Sequence, residues 1–259
     1  MRPNALPVCR PTVLLALAAV LFAAAGCGSK PTLTVYCAAG VHAPVEQLAA
    51  EFSRRENVQV VPISSGSGVL LSQMQLAARG DVYVAGDDFF MQQAVDKGLV
   101  AKPTTLAWWV AVIGVPKGNP KNVKGIEDLA REDVRVGLAD PKAAAAGRAA
   151  AAMLAKAGLS SKVKPVVMTL TVNELGNHLK LGTLDAAIVW DAIVKQYKVD
   201  AAPIDARWRE SVAIPAGVLK FTKDAALAAK FISFLAGEDG HRAFEENGYT
   251  VTLEKEAAK

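Results

Sequence analysis

Strand-like and helix-like segments alternate along this chain, and that order limits its fold more than any other feature. Short β-branched or apolar runs at residues 33–37 and 58–63 are each followed by a segment with apolar residues at helical spacing, such as Val45, Leu48 and Phe52. Further strands are predicted at residues 81–85, 109–115, 134–138, 184–190 and 213–219, and further helices at 143–157 and 225–235. Because each helix returns the chain to the starting edge of the sheet, successive strands run mainly in parallel. The pattern predicts an α/β fold.

Composition supports a folded protein and excludes one class of partner. Of the 259 residues, 52% are hydrophobic and 21% are charged, which allows a buried core in one large or two small domains. The formal net charge is +4, and the lysines and arginines are scattered among acidic residues. Because no basic run with interleaved aromatic residues is present in the sequence, nucleic acid is not a predicted partner.

The first 26 residues predict a signal peptide of the lipoprotein type. Arg2 and Arg10 form a positive start, and residues 11–25 form an apolar stretch that is too short to predict a membrane-spanning helix. The stretch ends in Ala24-Ala25-Gly26-Cys27, which resembles a bacterial lipobox. Cys27 is the predicted lipid anchor, and residues 27–32 form a tether to the cell envelope. The alternative is an ordinary secretory signal in which Cys27 has no role.

Cysteine usage predicts neither a disulfide framework nor a metal site. Cys9 lies in the leader, and Cys27 is the anchor, so Cys37 has no partner in the mature chain. Its apolar strand predicts a buried thiol that packs as a small hydrophobe. No cluster of cysteine and histidine has the spacing of metal ligands.

Four predicted strand-to-helix loops consist of small or hydroxyl-bearing residues. They lie at residues 38–40, 64–68, 144–147 and 171–174. The first backbone N–H groups of a helix have no partner within the helix and carry partial positive charge, so such loops can bind an anion without a cationic side chain. Thr171 and Glu174 have the spacing of a capping box, which makes Val172 the first helical residue. The alternative is that all four are ordinary turns of an α/β protein.

The sequence resembles the molybdate/tungstate-binding family of periplasmic solute-binding proteins over nearly all of the chain after the leader. The resemblance is carried by TVYCAAGV at residues 34–41, SGSGVLLSQ at 65–73, GDVYVAGD at 80–87 and LDAAIVW at 184–190. Their order and spacing together are more specific than any single motif.

The resemblance implies the type II periplasmic-binding-protein fold, with two α/β lobes joined by two crossover strands. Each lobe is then a central, mostly parallel sheet flanked by helices. Lobe one is expected at residues 33–106 and 211–259, and lobe two at 107–210. The ligand is expected in the cleft between them.

The same resemblance implies a set of ligand contacts. The contacts carried over from the family are Gly40, Ser67, Ala146, Val172 and Trp190, and further candidate cleft residues are Ser65, Asn173 and Asp191. Two positions depart from the usual family pattern. Gly40 stands where a serine hydroxyl is common, and Trp190 stands where a tyrosine hydroxyl is common. These departures leave open which oxyanion fits.

The implied function is that of a binding component that passes molybdate or tungstate to the permease of an ABC importer. The protein is then no enzyme, has no cofactor and no direct metal ligand, and acts as a monomer anchored at the periplasmic face or cell envelope. The alternatives are sulfate, phosphate or a small organic solute. Phosphate would need an acceptor for its proton, which Asp87 or Asp191 could supply; we expect instead that Asp87 caps a helix and that Asp191 faces solvent.

A serine hydrolase is the remote alternative. Ser65 and Ser67 occur in a chain with three histidines, at positions 42, 178 and 241. However, Gly66 and Gly68 do not give the Gly-x-Ser-x-Gly spacing of a nucleophile elbow, and no P-loop, dinucleotide fingerprint or HExxH motif is present in the sequence.

Overall fold

Nine strands pair into one continuous sheet in the computed structural model, which describes residues 30–252. The strands are β1 (Thr32–Ala38), β2 (Gln59–Ser65), β3 (Val82–Val84), β4 (Thr104–Val115), β5 (Val136–Ala139), β6 (Val167–Thr169), β7 (Ala186–Trp190), β8 (Asp200–Ala202) and β9 (Ser211–Val218). The helices are α1 (His42–Glu56), α2 (Ser67–Ala77), α3 (Asp88–Asp96), α4 (Ala145–Lys156), α5 (Val172–Lys180), α6 (Asp191–Tyr197), α7 (Ala225–Leu235) and α8 (Glu238–Glu246). The helices flank the sheet, so the predicted α/β class is confirmed.

The strand order is β2-β1-β3-β9-β4-β7-β5-β6, with β8 paired to β4. Strands β1 to β3 pair in parallel, as do β5, β6 and β7, whereas β4 and β9 run antiparallel to their neighbours. We call β1–β3 with α1–α3 the first half of the protein, and β5–β7 with α4–α6 the second half. The antiparallel strands β4 and β9 lie between the two halves and join them.

Strand β4 changes partner along its length. Val110 is in register with Ser211 of β9, and the next residue, Ala111, is in register with Trp190 of β7. At this point β4 therefore passes from the side of the first half to the side of the second half. The lobe boundaries predicted at residues 106–107 and 210–211 lie in β4 and at the start of β9, and they stay predictions.

The predicted apolar face of α1 is buried as its spacing requires. Val45 and Leu48 have no measurable exposure, and Phe52 is 2% exposed. Phe52 meets Phe231 of α7 edge to face, with ring centroids 5.0 Å apart, so the C-terminal helices pack on the first half. Within residues 30–252, no helix has both the length and the apolar character needed to cross a membrane.

The leader and the predicted anchor, Cys27, lie outside the described residues. Cys37 is a buried free thiol in β1, as predicted. Burial raises the pKa of this thiol to about 12, so it stays protonated and packs as a neutral group. Among the described residues, no group of three or more histidine, cysteine or acidic side chains is arranged to hold a metal ion.

Candidate functional site

Both halves of the protein line one small cavity at the ends of the strands. Its lining consists of Ala38, Ala39, Gly40, Ser65, Gly66, Ser67, Gly86, Trp109, Ala144, Ala145, Ala146, Thr171, Val172 and Trp190. All four loops singled out in the sequence reach this cavity. The five predicted contacts lie around it together with Ser65, whereas Asn173 and Asp191 are not part of its lining.

The first turn of α4 offers two uncommitted backbone donors. The N–H groups of Gly147 and Arg148 bond to the carbonyl oxygen of Ala144, at 3.1 and 3.3 Å. Within residues 30–252, no acceptor is found for the N–H groups of Ala145 and Ala146, as expected for the first residues of a helix. Both residues line the cavity, so these donors are available to an anion there.

Ser67 begins α2 and is held by two hydrogen bonds. Its hydroxyl oxygen accepts the N–H of Gly86 at 2.9 Å, and its carbonyl oxygen accepts the hydroxyl of Tyr83 at 3.0 Å. A serine hydroxyl has one proton to donate, and no acceptor for it is found among the described residues. Ser67 is 1% exposed to solvent, so the proton is directed within the site.

The start of α5 is the helix start that the capping-box spacing of Thr171 and Glu174 predicts. Val172 is its first residue, and the hydroxyl oxygen of Thr171 accepts the N–H of Glu174 at 3.3 Å. The hydroxyl of Thr171 also donates to the carboxylate of Glu174 at 2.7 Å, which completes a side-chain contact across the cap. The predicted cap is therefore confirmed. Asn173 follows Val172, and its buried Oδ1 has no hydrogen-bond partner among the described residues.

Two stacked indoles form the aromatic wall of the cavity. The rings of Trp109 and Trp190 lie 5.1 Å apart at an angle of 17°. The indole N–H of Trp109 donates to the carbonyl oxygen of Gly86 at 2.8 Å, so this donor is committed to the protein. No acceptor for the indole N–H of Trp190 is found within the described part of the chain.

Buried aromatic donors occupy the carbonyl oxygens of three cavity residues. Tyr83 bonds to Ser67, Trp109 bonds to Gly86, and the hydroxyl of Tyr249 bonds to the carbonyl oxygen of Gly40. Burial raises the pKa values of both tyrosines, so they remain protonated donors. With these acceptors occupied, the cavity offers mainly N–H and O–H groups.

No residue that lines the cavity has an ionisable side chain. Asp87 follows Gly86, and its Oδ1 accepts the N–H of Phe90 at 2.8 Å, so Asp87 caps α3 as predicted. The cavity therefore combines the N-termini of helices with neutral side chains. These surroundings favour a fully deprotonated anion, because no carboxylate lines the cavity to accept a hydrogen bond from a protonated ligand.

Asp191 is half-buried, so the prediction that it faces solvent is correct only in part. Its Oδ1 accepts the N–H groups of Ala192 at 2.8 Å and of Val110, in β4, at 3.4 Å. Burial raises the pKa of Asp191 to about 6, and the backbone hydrogen bonds partly oppose this effect. Asp191 thus fastens the start of α6 to a joining strand, outside the cavity that its neighbour Trp190 lines.

Two cavity residues, Trp109 and Gly86, were missed from the sequence. Neither is among the contacts that the family resemblance implies. Gly86 directly follows β3, so its place at the end of a strand was a usable signal. An aromatic residue suits a binding cleft, but we expected Trp109 to pack at the hinge with Trp108; its contact with Gly86 spans 23 residues and depends on the order of strands in the sheet.

The structure brings none of the three histidines into the cavity lining. The Nδ1 of His178 lies 2.8 Å from the hydroxyl oxygen of Thr183, and the Nε2 of His42 lies 3.5 Å from Glu46. Among the described residues, no hydrogen bond joins a serine hydroxyl to a histidine. The geometry offers no nucleophile–base pair of the kind that a serine hydrolase requires.

An α/β scaffold in two halves that surrounds a small cavity with uncommitted donors defines the class of solute-binding proteins. The chain belongs to the family of bacterial extracellular solute-binding proteins, whose family model matches residues 33–250. The resemblance stated from the sequence motifs is therefore confirmed at the level of the family.

Individual relatives agree with this assignment. The chain is 27% identical to YvgL of Bacillus subtilis, a candidate ABC transporter substrate-binding lipoprotein, over 93% of this chain and 98% of that one. It is 27% identical to the molybdate-binding protein ModA of Escherichia coli, over 92% of this chain and 97% of that one. The structure of the periplasmic molybdate-binding protein of Azotobacter vinelandii superposes with a TM-score of 0.74 at 22% identity, covering 85% of this chain and 100% of that chain. The structural match establishes a shared fold.

Proposed function

We propose that this protein is the substrate-binding component of an ABC importer and that it captures molybdate or tungstate in the cavity between its halves. The observation that carries the proposal is that the starts of α2, α4 and α5 converge on one cavity without an ionisable side chain, where the Ser67 hydroxyl and the N–H groups of Ala145 and Ala146 are uncommitted. The names of YvgL and ModA support the transport role and the ligand, respectively.

The binding energy comes from hydrogen bonds to a dianion. We assign the contacts to Gly40, Ser67, Ala146, Val172 and Trp190. A hydrogen bond to a charged group contributes about 1.5–3 kcal/mol, so five such bonds give about 8–15 kcal/mol before the cost of closing the halves. Micromolar binding needs only about 8 kcal/mol. Neutral donors are therefore sufficient, and no cofactor or metal-ligating side chain is required.

Selectivity follows from the lack of an acceptor. Molybdate, tungstate and sulfate carry no proton at neutral pH, whereas monohydrogen phosphate does, and no carboxylate lines this cavity to accept a hydrogen bond from that proton. We therefore place phosphate below the other three ions in affinity. The choice among those three depends on cavity size, and sulfate is the second candidate because it shares their charge and shape.

A contact between the halves supports a coupling of binding to closure. The N–H of Gly68, in α2, donates to the carbonyl oxygen of Ala143, just before α4, at 2.9 Å. A ligand that bonds to both α2 and α4 stabilises this closed arrangement over an open one, because only the closed form offers all donors at once. The closed form is the state that we propose the permease recognises.

The proposed transport role includes a location in the cell envelope. We propose that residues 1–26 are removed, that Cys27 carries the lipid, and that a monomer works at the periplasmic face or cell envelope with the lobes at residues 33–106 plus 211–259 and 107–210. Mass spectrometry of the protein isolated from membranes tests the anchor. A mature chain that starts elsewhere than Cys27, or that lacks a lipid, would contradict it.

Titration of the mature protein by calorimetry tests the ligand assignment. We expect molybdate and tungstate to bind with dissociation constants at or below about 1 µM, sulfate more weakly, and phosphate weakest. A thermal-unfolding series gives an independent measure, since a ligand at 100 times its dissociation constant stabilises the protein by about 2.7 kcal/mol. If neither molybdate nor tungstate binds at about 10 µM, the ligand assignment is wrong.

A further inference from the structure

An ion pair joins the two halves of the protein outside the cavity. Arg148 lies in the first turns of α4, and Asp87 lies at the start of α3; the Arg148 Nε is 3.1 Å from the Asp87 Oδ2. The Asp87 side chain is 8% exposed and that of Arg148 is 35% exposed. Because the partners belong to different halves, this pair can form only while the halves are in contact.

Phe89 adds a second contact to the same arginine. The guanidinium carbon of Arg148 lies 3.3 Å from the centroid of the Phe89 ring, which is a cation–π contact at short range. Phe89 is 44% exposed, although its neighbour Phe90 is buried. The first half thus presents a carboxylate and an aromatic face to one arginine of the second half. We call Asp87, Phe89 and Arg148 the latch.

Asp87 is fixed by its own half, independently of Arg148. Its Oδ1 accepts the N–H of Phe90, so the carboxylate is held as the cap of α3. Burial raises the pKa of Asp87, and the Arg148 guanidinium acts in the opposite direction. A buried carboxylate that keeps its charge needs a cation beside it, and in the closed arrangement Arg148 supplies one.

We propose that Arg148 is a positioning residue that raises ligand affinity from outside the cavity, by holding α4 against the first half. Arg148 lies in the same first turn of α4 as the uncommitted donors Ala145 and Ala146, so the latch and these donors move as one rigid element. Since only the closed form offers all donors, the apparent dissociation constant rises as the closed fraction falls. The proposal rests on the proposed function, because it assumes that a ligand binds between the halves.

The matched control is a similar ion pair within one half. Arg135 and Asp185 lie 2.8 Å apart, and the Asp185 side chain is 8% exposed, like that of Asp87. These residues precede β5 and β7, so their pair is unaffected by separation of the halves. Arg135→Gln and Arg148→Gln therefore remove equivalent charges, but only the second weakens closure.

The test combines molybdate binding with solution scattering of the ligand-free protein. We expect Arg148→Gln to raise the molybdate dissociation constant about tenfold, mainly through faster release, and to raise the radius of gyration. Arg148→Lys should recover part of the affinity because it keeps the charge, whereas Arg135→Gln should leave both quantities unchanged. Phe89→Leu changes an exposed residue and should also raise the dissociation constant and the radius of gyration. It replaces Arg148→Gln in the test if Arg148→Gln does not fold.

Unchanged affinity and unchanged scattering in Arg148→Gln would overturn the proposal, as would equal effects of Arg148→Gln and Arg135→Gln. Failure of the proposed function would look different, because then the parent protein itself would not bind molybdate. Scattering of the ligand-free variants would still decide whether the latch holds the halves together: a larger radius of gyration for Arg148→Gln alone supports it, and equal radii overturn it.

Discussion

Trp109 lies directly against Gly40, so that a β-carbon at position 40 would come within 2.6 Å of the indole Cη2. This contact explains why the loop after β1 carries glycine rather than the serine that the family resemblance leads one to expect. The indole fills the space that a side chain at position 40 would need, so this position supplies no side-chain hydrogen-bond donor. Tyr249 in turn holds the carbonyl oxygen of Gly40, so the loop is fixed from two sides.

Restoring a serine at this position should therefore harm the protein. We expect Gly40→Ser to cost about 1–3 kcal/mol of stability through overpacking and to weaken molybdate binding at least tenfold. Trp109→Phe removes the outer ring, so the double variant should recover part of the stability lost by Gly40→Ser. Thermal unfolding and calorimetry measure the two effects. A Gly40→Ser variant with parental stability and affinity would show that the indole moves aside freely.

Gly66 is required by the closed arrangement rather than by its own backbone. Its φ of −62° and ψ of 143° suit any residue, but a β-carbon there would lie 2.4 Å from the carbonyl oxygen of Leu170 and 2.5 Å from that of Ala143. Both carbonyls belong to the segments that precede helices of the second half. A rigid backbone cannot yield as a side chain can, so Gly66→Ala should hold the halves apart.

The expected result for Gly66→Ala is a more than tenfold loss of molybdate affinity, with ligand-free thermal stability almost unchanged. Gly237→Ala is the matched control, because Gly237 also precedes a helix and its nearest neighbour would be 3.3 Å from the added carbon. That variant should bind as the parent does. Parental affinity in Gly66→Ala would mean that binding does not require the contacts seen between the halves.

Much of the fold and part of the candidate site could be predicted because the signals were local. The start of α5 at Val172 depends on Thr171 and Glu174, which are neighbours in sequence. Strands β6 and β8 have only three residues each, too few to show a period. The hydrogen bond from Val110 to Asp191 joins residues that are 81 positions apart, so predicting it required knowledge of which strands are adjacent.

The Ser67 hydroxyl should contribute directly to ligand affinity. With one lone pair occupied by the N–H of Gly86, the hydroxyl can donate its proton to an oxyanion. We expect Ser67→Ala to weaken molybdate binding by about 10- to 100-fold, in line with a hydrogen bond to a charged group. Ser72→Ala, on the same helix, is the control, since the Ser72 hydroxyl donates to the carbonyl oxygen of Gly68 on the exposed surface. Equal affinities of the two variants would show that the Ser67 hydroxyl does not bind the ligand.

The half-buried carboxylate of Asp191 should make stability depend on pH in an unusual direction. Its pKa is raised from 3.8 to about 6 by burial, so between these values the folded protein holds a proton that the unfolded chain has lost. The stabilisation is complete below pH 3.8 and is lost as the pH rises through 6, whereas a carboxylate with a lowered pKa shows the opposite trend. At neutral pH the ionised Asp191 is thus a cost to the folded state.

Asp191→Asn should relieve that cost. The amide oxygen can still accept the N–H groups of Ala192 and Val110, and no charge is buried. We expect the variant to be more stable than the parent by about 1–3 kcal/mol at pH 7, with the difference vanishing near pH 4, because the parent is then protonated as well. Denaturant unfolding of both proteins across pH 4 to 7.5 measures this difference. A stability difference that stays constant with pH would show that folding does not raise the pKa of Asp191.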